Sequence, residues 1–166
     1  MKQRTLRDLF HEQLRDMYNA EGQLVKALPK MAKAANNPEL RQGIEQHLEQ
    51  TRNQQERLVH VFEALGEKAR GKTCEAMEGL IEEAKDWMDE DAVPEVMDAG
   101  LIACAQKVEH YEVATYGCLV TWAKQIDLAD DAVTALRQNL AEEKEADERL
   151  THLAEEMINL QAAHGG

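Results

Sequence analysis

One pattern recurs four times along the chain: apolar residues spaced by three and four over stretches of about thirty residues, with charged residues between them. Leu6, Phe10, Leu14, Met17, Leu24, Leu28 and Met31 trace one face of a helix predicted over about 5–35, opened by a loose Thr5–Asp8 capping box. Pro29 falls inside it and predicts a kink, because it lacks the N–H that would bond the carbonyl of Val25. Asn37 followed by Pro38 is an N-cap and first-turn pair, and a second helix over 38–65 carries Leu40, Ile44, Leu48, Leu58, Phe62 and Leu65 before Gly66 ends it. A polar connection, 67–73, leads to a shorter helix over about 74–89 with Thr73 as its expected cap. Pro94 opens the third long stretch, 94–125, and the fourth spans about 130–162.

Tight turns join the first two long helices and the last two, and a long crossover holding the short helix separates the pairs. Two antiparallel helical hairpins joined by one crossover is the ferritin-like arrangement of the four-helix bundle, so the sequence predicts a single all-α domain over 1–166. Each long helix would extend roughly 45 Å at 1.5 Å per residue. Composition agrees, since only three prolines, nine glycines and 4% aromatic residues occur among 166.

The formal charge of −13 argues against nucleic acid and anionic lipid as partners, because both require a basic face. No apolar run is long enough for a signal peptide or a membrane span, and three cysteines without CxxC spacing suit a reducing compartment. The expectation is a cytoplasmic protein.

Several acids fall where the stripes place the core. At 100° per residue, Glu21 lies between Met17 and Leu24. In the third helix, with its stripe set by Ile102, Ala105, Val113, Tyr116 and Val120, Glu109 is central and Glu112 on the flank, while Glu95 and Asp98 belong to a solvated start. His110 lies further round. In the last helix Glu143 and Asp147 occupy the gap between Leu140 and Leu150, whereas Glu142, Glu145 and Glu148 belong to a solvated face. In the second helix His47, Thr51, Gln54 and Gln55 face inward, and Glu49 faces out. Counted from the two turns, Glu21 stands opposite position 51, Glu109 opposite Asp147, and Glu112 opposite 144, beside Glu143.

A single acid in a helical stripe ordinarily snorkels to solvent, and the tyrosines and methionines there read first as packing, although a tyrosine near such acids could hydrogen-bond one of them. Agreement in level across four helices is the informative feature. Four or five carboxylates and an imidazole in one layer cannot all ionise without cations. The predicted occupants are two divalent transition metals held by Glu21, His47, Glu109, Glu112, Glu143 and Asp147, with iron first and manganese or zinc as alternatives.

The stretches LRDLFHEQLRDMYNAEGQL, EQHLEQT, CEAMEGLIEEA, AQKVEHYEVATYG and NLAEEKEADERLTHLA resemble the YciE/YciF-type bacterial stress proteins over nearly the whole chain. That resemblance implies a ferritin-like bundle, a homodimer and a rubrerythrin-like di-metal centre with Glu21 as the first-helix ligand and Glu109 and Glu112 as an ExxE pair. The Glu-x-x-His usual in helices two and four of ferritin-like proteins is missing: Arg52 follows Glu49 and Ala146 follows Glu143 at that spacing, which turns attention to His47. Two readings remain open: iron or peroxide handling in a stress response, and a non-catalytic dimeric helical protein with a vestigial or structural metal. A storage cage or DNA-binding dodecamer is disfavoured, since the chain has no basic tail.

Overall fold

The computed structural model describes residues 4–165, and no strand occurs among them; residues 1–3 and 166 of the expected 1–166 domain lie outside the described range. Four long helices, α1 (Leu6–Ala34), α2 (Pro38–Leu65), α4 (Pro94–Gln125) and α5 (Asp130–Leu153), form the body, with α3 (Glu75–Met88) in the long connection. α1 packs against α2 and α4, and α5 packs against α4 and α2, so each long helix has two long neighbours around a common core. α3 lies on the outside, against α1 and α4.

Local chemistry places the ends. Thr5 and Asp8 form a reciprocal capping box, Asn37 Oδ1 accepts from the N–H groups of Glu39 and Leu40, and Gly66 closes α2 in the left-handed region at φ 78°. α1 continues past Pro29 to Ala34. The cap of α3 is Cys74 rather than Thr73: its sulfur accepts the Met77 N–H at 3.4 Å, its N–H donates to Asn19 Oδ1 at 2.8 Å, and Gln23 Nε2 donates to its carbonyl. These bonds tie the start of α3 to α1, which is why the chain enters the helix one residue later than the hydroxyl implied.

The far end of α3 is seated on a glycine. A Cβ at Gly100 would stand 2.0 Å from the Trp87 ring, so only glycine lets the indole lie on α4 and donate Nε1–H to the Met97 carbonyl at 3.0 Å. The last helix also departs from uniform α geometry. A π-helical turn, Ala154–Ile158, follows α5 and leads into α6, Asn159–His164.

Several positions differ from their expected faces. Leu6 is exposed. Val113 is only half-buried, because the α4 stripe runs through Leu101, Val108, Glu109, Glu112, Leu119 and Ala123. Asp98 is not on a solvated start but buried, its two oxygens each accepting a backbone N–H at 2.7 Å, from Asn36 and Asn37. The α1–α2 turn is thereby pinned to α4 by two charge-assisted hydrogen bonds. Asp98→Ala should lower unfolding stability by about 2–4 kcal/mol, since two part-buried N–H groups lose a charged acceptor; urea denaturation followed by circular dichroism measures it.

Candidate metal centre

The middle of the bundle holds a layer of polar side chains with almost no access to solvent. Glu21, Glu112 and Glu143 are fully buried, Glu109 is 2% exposed and His47 6%. Each long helix contributes: Glu21 from α1, His47 from α2, Glu109 and Glu112 from α4, and Glu143 from α5. They arrive there because each occupies a position of its helix that otherwise carries the apolar stripe. One ligand atom from each of His47, Glu109, Glu112 and Glu143 can be chosen so that all four lie within 4.8 Å of one another. Glu21 and Asp147 stand outside that four-residue group.

The charges in this layer are not matched by cationic side chains. His47 Nε2 lies 3.2 Å from Glu109 Oε1 and 4.0 Å from Glu143 Oε2, but neither ring nitrogen is aligned for a hydrogen bond. Both oxygens of Glu112 and of Glu143, and one each of Glu21 and Glu109, are buried without a donor. An ionised carboxylate only accepts, so carboxylates facing one another cannot satisfy each other. Protons or a cation must fill the gap.

Without a cation the protons do so. Burial, reinforced by the Glu143 charge, pushes Glu21 up to about 8 from an ordinary 4.5. Burial raises Glu109 and Glu112 well above the carboxylate range, again with the Glu143 charge as the next cause. Burial acts upward on Glu143 as well, but bonds from protonated Glu109 and Glu112 and the nearby His47 hold it below its ordinary value. One charge is thus kept on Glu143 while its neighbours turn neutral.

A second layer orients Glu21. Tyr116 donates its hydroxyl to Glu21 Oε1 at 2.5 Å and accepts from Asn139 Nδ2 at 3.2 Å. Asn139 Oδ1 in turn accepts from Arg57 Nη1 at 2.8 Å, and the same nitrogen reaches Glu142 at 2.7 Å. This Arg57–Asn139–Tyr116–Glu21 relay runs from the protein's edge to the centre, the kind of outer support that fixes a ligand's orientation. Glu142 is therefore half-buried and paired rather than on a solvated face. Asn139 lies fully buried in the α5 stripe; its spacing of three from Leu136 and four from Glu143 was the available signal. Tyr116 is a hydrogen-bonding partner as well as core packing.

Asp147 sits at the margin. The inward position after Glu143 is Ala146, and Asp147 keeps 23% of its side chain exposed, with Oδ2 3.1 Å from His110 Nε2 and Oδ1 buried and unpartnered. His110 itself points outward, 71% exposed. Glu49 faces solvent, pairing with Arg52, and Thr51 and Gln54 are buried beside His47. Both polar side-chain atoms of Gln54 lack a partner, an Nε2 donor and an Oε1 acceptor beside the unmatched carboxylates.

The donor set fits a hard or borderline cation, with oxygen and imidazole ligands and no thiolate near it. The buried His/Glu group could hold a metal ion. Among the described residues, no helix is long and apolar enough to cross a membrane.

Comparison with known proteins places the chain. Residues 5–163 match the family described as Domain of unknown function (DUF892). Protein YciF of Escherichia coli (strain K12) is 45% identical over 163 residues, 98% of each chain. The crystal structure of the E. coli stress protein YciF superposes with a TM-score of 0.90 at 46% identity, covering 95% of this chain and 99% of that one. YcfI from Rhodopseudomonas palustris gives 0.86 at 49% identity, covering 89% and 94%. A Xanthomonas campestris protein at 22% identity and a TM-score of 0.75, covering 94% and 95%, shares the fold. With near-complete coverage by both the family and its relatives, the chain belongs to the DUF892 family, among the YciF-type bacterial stress proteins.

Proposed function

We propose that the protein is a ferritin-like di-metal stress protein, a single domain of two helical hairpins with iron at its centre, acting in iron or peroxide handling. The observation that carries this reading is the set of buried carboxylate oxygens without donors around His47. His47, Glu109, Glu112 and Glu143 form the inner ligand group, and Glu21 and Asp147 complete a set large enough for two cations. Bound as a pair, divalent iron supplies redox equivalents and Lewis acidity to a small oxidant. The chain's own part is to exclude water, to hold Glu21 through Tyr116, and to trade protons for metal on Glu109 and Glu112. A homodimer, which rests on the resemblance to the family, and a cytoplasmic location, which rests on the cysteine usage, belong to the same reading.

A second reading has its own support. Shared protons already satisfy Glu109, Glu112 and Glu143 without a cation, so the fold could persist as a helical stress protein with a vestigial or structural metal. Metal analysis separates the two. After loading with ferrous iron and desalting, elemental analysis should find close to two metals per chain, and Glu109→Ala with Glu143→Ala should remove them. A wild-type protein that retains no stoichiometric metal sinks the di-metal reading. Light scattering tests the homodimer directly, two chains per particle being expected.

The proton chemistry gives a separate test. Between the ordinary 4.5 and the raised value of about 8, folded Glu21 keeps a proton that the unfolded chain releases. Stability of the metal-free protein should therefore fall as pH rises across that window, by an amount on the order of a few kcal/mol. Glu21→Gln keeps an acceptor for Tyr116 and should flatten the decline. Metal binding displaces the protons, so the metal-loaded protein should lose this decline and hold a nearly flat stability over the same range. Thermal melts at pH 5, 6.5 and 8 with and without chelator check all three statements.

A further inference from the structure

A cavity of about 580 Å³ opens between α2 and α5 and ends on the central layer. Its inner wall includes His47 and Glu109, its middle is formed by Leu28, Leu40, Ile44, Leu150, Leu153 and Met157, and its mouth is polar. The volume lies within the roughly 300–1,000 Å³ typical of small-molecule sites, and apolar walls converging on a few polar groups are their usual chemistry. An ion path to a metal centre has no need of such walls, because hydrocarbon surface opposes the passage of a hydrated ion.

Two further features belong to this cavity. Leu153, Glu156 and Met157 lie in and beside the π-helical turn Ala154–Ile158. A π turn adds a residue to the helical repeat and shifts the phase of the helix beyond it, and such turns concentrate at functional sites. Asn37 Nδ2 donates to Met157 Sδ at 3.2 Å, which fixes that side chain at the wall. The buried end, in contrast, offers unpartnered polar atoms: both ring nitrogens of His47 and Glu109 Oε2.

We propose that this cavity binds a neutral, medium-length aliphatic molecule with one hydroxyl-type polar end, seated with that end at His47 and Glu109 and its hydrocarbon body against Leu40, Ile44, Leu150 and Met157. A neutral end suits the inner wall because the layer already holds more acceptor oxygens than donors, and a carboxylate head would bring only further acceptors. A hydroxyl can donate to Glu109 or His47 and accept from the other. The inference goes beyond the metal reading by naming an organic occupant, and it is tested without metal, so either can fail alone.

The probe is 1-octanol, titrated into the metal-free full chain by calorimetry and followed by methyl NMR of Ile44, Leu153 and Met157. Saturable binding of one molecule per chain is expected, with a dissociation constant below about 1 mM and roughly tenfold tighter than 1-hexanol. Octanoate should bind more weakly than octanol. A Cβ at Gly43, in the cavity wall, meets nothing within 4 Å, so the backbone there accepts a side chain and Gly43→Leu adds apolar bulk at the cavity wall. Leucine also suits a helix better than glycine, so the variant should melt no lower than wild type and take up metal normally. Its octanol affinity should fall at least tenfold. Absence of saturable binding, unmoved methyl signals at the three residues, or wild-type affinity in Gly43→Leu overturns the proposal.

Discussion

Everything at the centre of this protein stems from an imbalance of charge. Glu21, Glu109, Glu112 and Glu143 are buried together with one imidazole and no lysine or arginine among them. Buried carboxylates of this density cost several kcal/mol each unless neutralised, and a set of four on three helices is kept only if something compensates it. In the metal-free structure the compensation is protonation of three and retention of charge on Glu143. The same arrangement is a cation site whose ligands carry protons that the cation can displace. Fold and candidate function thus meet in one electrostatic constraint.

The surrounding structure serves that constraint. Tyr116 and Asn139 carry the only direct hydrogen-bond chain from Glu21 to a cation, Arg57, among the described residues, and Arg57 is itself balanced by Glu142. Asp98 clamps the α1–α2 turn to α4, which sets the level at which Glu21 and His47 meet Glu109. At the outer face, Cys74 and Trp87 fasten α3 to α1 and α4 through backbone contacts, so the long connection closes the bundle without entering the core. The cavity between α2 and α5 is the complementary feature, an apolar path that reaches the same layer from one side.

Much of this is legible from spacing alone, and the failures share a cause. Glu21, Glu109 and Glu143 stand out because each interrupts a stripe of large apolar residues at a phase the neighbours define. Where the stripe is made of alanines the phase drifts: in α5 the buried positions include Ala132, Ala135 and Ala146, so periodicity centres the face nearer Asp147 than Ala146. In α4 the same drift admits Val113 and puts Glu112 on the flank, although it is fully buried. Small residues bury well wherever two backbones come close, and a hydrophobicity pattern does not register that. Asp98 escapes detection for another reason: its partners are the N–H groups of Asn36 and Asn37, which lie more than sixty residues before it and leave no mark on the local pattern.

The sequence by itself determined the long helices, most of their ends and the approximate level of the inward acids, because capping, proline placement and 3.6-residue periodicity are local properties. Its long matching stretches also determined the family. Only the tertiary structure decided which ligand atoms converge, for that depends on how four helices are rotated against one another, to within a few ångströms. It placed His47 with Glu109, Glu112 and Glu143, set Asp147 at the margin beside His110, turned Tyr116 from packing into the support of Glu21, and brought in Asn139 behind it. Periodicity chooses a face; contact between faces chooses the chemistry.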